Sequence, residues 1–142
     1  MQSRLKGCLD QPTGMNFETA MAAAEQNLAQ HRATALQGLD KAIASAQALG
    51  RSGGTSAENL IRLSEVAADI ACVAGAYGLE ELSAVANGLA KATAPNVVAD
   101  ARAILVHVEA LPLLRSTSPA EADHRRSIVA GLAKVLAKQI GA

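Results

Sequence analysis

A chain of 142 residues with 50% hydrophobic content has the size of one domain and enough apolar material for a core without disulfides or metal ions. Its 13 Lys plus Arg balance its 13 Asp plus Glu, and it has no Trp, one Tyr and one Phe. With neither a basic surface for phosphates nor aromatic platforms for bases, nucleic acid is disfavoured as a partner. Cys8 and Cys72 are too few and too distant for a metal-ligand spacing or a disulfide framework, which points to a reducing cytoplasm. The most apolar window, Val66 to Leu79, is interrupted by Asp69 and too short to cross a bilayer, and no signal peptide is expected.

The apolar residues are mainly Ala, with Leu, Val and Ile, a composition that favours helix over strand. Residues 1–15 mix Gly7, Pro12 and Gly14 with polar residues and are read as a flexible leader, residues 16–142 as one helical-bundle domain. From Asn16, a good N-cap, Phe17, Met21, Ala24, Leu28, His31, Ala35, Leu39, Ile43 and Ala46 recur at steps of three or four. They predict one face of a long first helix, with His31 packed on its apolar side. Glycines 50, 53 and 54 should end it.

Thr55 and Glu58 have the capping-box spacing that opens a second helix, whose stripe Leu60, Leu63, Ala67, Ile70, Ala74 and Tyr77 runs to the terminator Gly78. A short third helix carries Leu79, Leu82, Val85, Ala86 and Leu89. Pro95 suits the first turn of a fourth, with Val97, Ala101, Ile104, Leu105, Val108 and Leu111 facing inward before Pro112 and His107 at its surface. Ser118, Pro119 and Glu121 signal a fifth, bearing Ile128, Val129, Leu132, Val135, Leu136 and Ile140. The expected fold class is all-α: an antiparallel bundle of five helices, the first long. Heptad-like spacing in that first helix also allows a homodimer.

The segment from Ala68 to Leu79, continued by Leu82, Val85, Ala86 and Leu89, resembles a histidine-containing phosphotransfer (HPt) domain. That family's signature is His-x-x-Lys-Gly on one helix, small residues after it, and a Gly-Leu that starts the next helix. The resemblance covers roughly residues 55–112 and implies a four-helix core, a place in bacterial two-component or phosphorelay signalling, and a receiver domain or histidine kinase as partner. Aligned on Gly78, Ala68 stands where the phosphorylatable histidine belongs, Ala71 at the lysine and Cys72 at the glycine, while Asp69 and Ile70 match residues found in some members. A methyl group supplies neither the nucleophilic imidazole nor the cation that phosphoryl transfer uses.

What the resemblance implies is therefore a docking face without transfer, formed by Ala68, Asp69, Ala71, Cys72 and Gly75 with Ser64 and Glu65 one turn earlier. Small residues at i, i+3, i+4 and i+7 let a partner helix approach closely. The alternatives are an active phosphotransfer protein using His31, His107 or His124, the last read as solvated, and a self-associating helical scaffold. No nucleophile–base pair, phosphate loop or metal-ligand cluster is legible, so neither an enzyme, a cofactor nor a metal is expected. Asp69 and Glu65 argue against a reactive Cys72, since nearby carboxylates disfavour a thiolate.

Overall fold

The structure, a computed structural model, describes residues 13–116 and 118–141. Most of the expected leader, including Cys8, lies outside them. The described residues hold five α-helices and one 3₁₀ turn, without strands: α1 Thr13–Arg51, α2 Ala57–Ala76, α3 Glu80–Ala92, α4 Ala101–Leu114 and α5 Ala122–Gln139, with the 3₁₀ turn Pro119–Glu121 before α5. The chain comprises two units, residues 1–35 and 36–142.

In the first unit, helix begins at Thr13, three residues before the expected cap. Between Met15 and Gln37 the sequence has no Gly or Pro and is rich in Ala, Gln, Leu and Met, so intrinsic propensity favours helix without tertiary help. Its apolar stripe is uncovered: Phe17 is 66% exposed, Met21 48% and Leu28 69%. His31 is exposed as well, against the expectation of a packed ring. The heptad-like spacing reports which face of a helix is apolar; whether anything lies against that face is a separate matter.

The second unit has the core. Leu39, Ile43 and Ala46 of α1 are buried with Leu63, Ile70, Leu82, Leu89, Val108, Leu111, Leu114 and Leu132 from the other four helices. Helix α1 ends at Arg51, where Ser52 Oγ donates to the Leu49 carbonyl (2.7 Å) and Gly53 turns the chain at φ +69°. Gly50 plays a different part from the expected one. It is still helical and buried against Val108. Two ion pairs join this end of α1 to α4 and the residue after it: a bidentate Arg51–Glu109 pair (2.5 and 2.9 Å) and Arg115–Asp40 (2.9 Å). The Arg51 guanidinium holds the Glu109 carboxyl below its usual range.

Helix α2 starts one residue later than the expected box, because Ser56 caps it by accepting from the Asn59 N–H (3.3 Å). Its end is set by backbone hydrogen bonds. Leu79 N donates to the Ala74 carbonyl (2.8 Å) and Gly78 N to the Gly75 carbonyl (3.3 Å), with Gly78 at φ +76°. These are the two reversed bonds of a Schellman turn, which needs a residue at positive φ and commonly buries the side chain after it; Leu79 is 5% exposed. The turn folds α3 back on α2, and Ser83 Oγ donates across to the Ala71 carbonyl (2.8 Å). Glu80 and Glu81 fall in the first turn of α3, where the helix dipole favours negative charge.

Helix α4 begins at Ala101, six residues beyond the Pro95 start predicted above. Asp100 caps it, Oδ1 accepting from the N–H groups of Arg102 (3.0 Å) and Ala103 (3.3 Å). Proline only presets φ, whereas a carboxylate satisfies free first-turn donors. Pro112 lies inside the last turn, and the helix continues to Leu114, which is buried. The start of α5 also differs: Ser118 makes no side-chain cap. Its carbonyl instead accepts from Arg125 Nη1 (2.8 Å), a buried guanidinium 4.0 Å from the Glu81 carboxylate of α3. At the far end of α5, Gln139 Nε2 donates to the carbonyls of Ala92 (3.0 Å) and Val98 (3.3 Å), tying the helix to the α3–α4 connection.

Candidate functional site

Helix α2 turns Leu63, Ala67, Ile70 and Ala74 into the core, which leaves its opposite face to solvent. Glu65, Ala68, Asp69, Cys72 and Gly75 are exposed there, and Ser64 is half-buried. From Glu65 to Gly75 this face runs about 15 Å at the rise of an α-helix. It presents small side chains, two carboxylates and the free thiol of Cys72.

Ala71 does not belong to that surface. It is 8% exposed and packs in the core, and its carbonyl is the acceptor for Ser83. The reason is the tightness of the Gly78 turn, which draws the start of α3 over one edge of α2. A Cβ built at Gly75 would stand 3.4 Å from Ser83 Oγ, so Gly75 marks the rim where cover by α3 ends. Where the HPt resemblance places a lysine, the structure has a packed methyl group.

The histidines are distributed differently from the expectation. His107, predicted at the surface, is 1% exposed. Its Nδ1 donates to the Ala103 carbonyl (2.7 Å), which fixes the Nδ1–H tautomer. Burial pushes its pKa down, opposed in part by that hydrogen bond. His124 is exposed, as predicted, and so is His31. A phosphoryl donor has access to those two rings but not to that of His107.

The buried His107 gives stability a pH dependence with a definite sign. Its folded pKa lies below the unfolded value, so the unfolded chain binds the proton first and stability falls as pH drops below about 6.5, by up to about 1.4 kcal/mol per unit until the folded pKa is reached. Denaturant unfolding between pH 7.5 and 5 should show that loss in the wild type and a flatter profile in His107→Gln; equal slopes would show that the ring is not held neutral.

A second surface feature had only a faint sequence signal. Leu105, Val106, Leu113, Ile128, Gly131 and Val135 line an open apolar groove of about 610 Å³ between α4 and α5, floored by Leu132. The expected inner face of α4 included Leu105, which is 38% exposed at the groove. The clue was that Leu105, Val106 and Leu113 are more apolar residues than one buried stripe needs.

Among the described residues, no cluster of His, Cys, Asp or Glu is arranged to hold a metal ion, and no helix is long and apolar enough to cross a membrane. The chain matches no family model, no curated protein and no solved structure.

Proposed function

We propose that this chain is a protein-binding module of the HPt type, which docks a receiver domain or histidine kinase of a bacterial phosphorelay on α2 without accepting phosphate. The observation that carries this reading is the exposure of Ala68 in mid-helix, ten positions before Gly78, where the resemblance places a phosphorylatable histidine. Around it, Glu65, Asp69, Cys72 and Gly75 form a low surface that a partner helix can approach closely. The four-helix core of the HPt fold would be supplied by the second unit, in which α2 and α3 form the hairpin that carries this face.

A phosphotransfer assay separates docking from transfer. A phosphorylated receiver that binds the chain should leave no acid-labile label on the wild type, while Ala68→His, which puts an imidazole at an exposed position without disturbing the core, should acquire label. Label on the wild type that disappears in His31→Gln or His124→Gln would replace this reading with active phosphotransfer.

A further inference from the structure

The chain has two uncovered apolar features of opposite shape. One is a ridge: Phe17, Met21, Ala24 and Leu28 stand at i, i+4, i+7 and i+11 of α1, the anchor spacing by which an amphipathic helix lies in a groove. The other is the α4–α5 groove. The ridge runs about 16 Å along its helix and the groove walls, from Leu105 to Leu113 and from Ser127 to Val135, about 12 Å each, so the groove takes about two of the ridge's three turns. A projecting ridge fills an open groove more fully than a second groove would.

Charge favours the same match. Beside the ridge, Glu18 and Glu25 lie one heptad apart. On α5, Lys134 and Lys138 are exposed one and two turns beyond the groove-lining Gly131, while Glu109 on the α4 wall is paired with Arg51. The α5 helix thus carries cations close to the groove, and the ridge has an acidic edge to offer. Gly131 adds room, since a Cβ there would meet nothing within 4 Å.

We infer that the α4–α5 groove binds residues 17–28 of a second copy of this chain, with Glu18 and Glu25 against Lys134 and Lys138. Reciprocated, the contact makes a closed dimer that covers both apolar features at once. It uses a surface separate from the α2 face and does not rest on the HPt reading.

Sedimentation equilibrium on the full chain tests this. The wild type should dimerise at micromolar concentration, and Leu28→Glu on the ridge and Gly131→Trp in the groove should each weaken dimerisation about 30-fold or more, with helicity by circular dichroism unchanged. Leu113→Arg on the other groove wall serves if Gly131→Trp fails to fold. Mixing the ridge and groove variants should restore a heterodimer with one intact contact. Replacing Glu18 and Glu25 by Lys should weaken the dimer, and replacing Lys134 and Lys138 by Glu in the same chain should recover it. A wild type that stays monomeric at about 100 µM overturns the inference. So does a dimer broken by Leu28→Glu but indifferent to both groove variants, the result for two ridges pairing with each other, and so does a charge exchange without recovery.

Discussion

Ala71→Arg is expected to destabilise the fold by about 3–5 kcal/mol, although sequence spacing places Ala71 among the exposed residues of the proposed docking face. The side chain is 8% exposed in a closed α2–α3 interface, and its carbonyl is committed to Ser83 Oγ. An arginine there must either bury a guanidinium without a partner or lever α3 away from α2 and break the contacts that the Gly78 turn sets up. On a total stability of about 5–15 kcal/mol, much of the folded population is at risk. Ala68→Arg, three residues away on the exposed face, should leave the urea midpoint nearly unchanged. Equal midpoints for the two variants would mean that α3 does not cover Ala71.

The glycines make the second large prediction, because the same substitution changes sign with surroundings. In an exposed helix Gly→Ala is favourable by about 0.8–1 kcal/mol. At Gly38 and Gly131 a Cβ would meet nothing within 4 Å, so alanine should stabilise both sites. At Gly50 the Cβ would fall 2.6 Å from Val108 Cγ2 and 3.0 Å from Cγ1. A valine in a helix has few rotamers to retreat into, so overpacking should win and Gly50→Ala should cost about 1–3 kcal/mol. In a Val108→Ala background the penalty should vanish or reverse. Urea unfolding of the four variants and the double variant decides the matter; a stabilising Gly50→Ala in the wild-type background would contradict the close α1–α4 approach.

How far the sequence reached can be judged at particular residues. Gly78 and Leu79 were legible because their reason is local: a positive-φ residue followed by an apolar one specifies the Schellman turn through backbone bonds alone. The same local reason bears on the HPt resemblance. Its Gly-Leu joint is what any tight helical hairpin of this geometry requires, so the weight of the functional reading rests on the exposed Ala68 face.

Helix starts were harder to read. Thr55 and Ser56, or Pro95 and Asp100, compete within a few residues, and composition does not say which oxygen is aimed at a free N–H. His31 and His107 were exchanged in burial for a further reason. A helical stripe tells which side of a helix is apolar, but cover comes from other segments, and among the described residues the stripe of α1 around His31 is exposed while α4 is covered on more than one side. The groove was missed on the same ground, since a concavity belongs to two helices and neither sequence contains it.

The most direct test of the central claim is a titration of the chain, wild type and Ala68→Arg, with receiver domains from the genome that encodes it, followed by amide chemical shifts. The account predicts that one receiver perturbs residues around Glu65, Ala68, Asp69, Cys72 and Gly75, and that Ala68→Arg weakens its binding about 30-fold while Ala130→Arg, exposed on α5, does not. Shifts centred away from α2, or binding indifferent to Ala68→Arg, would contradict it.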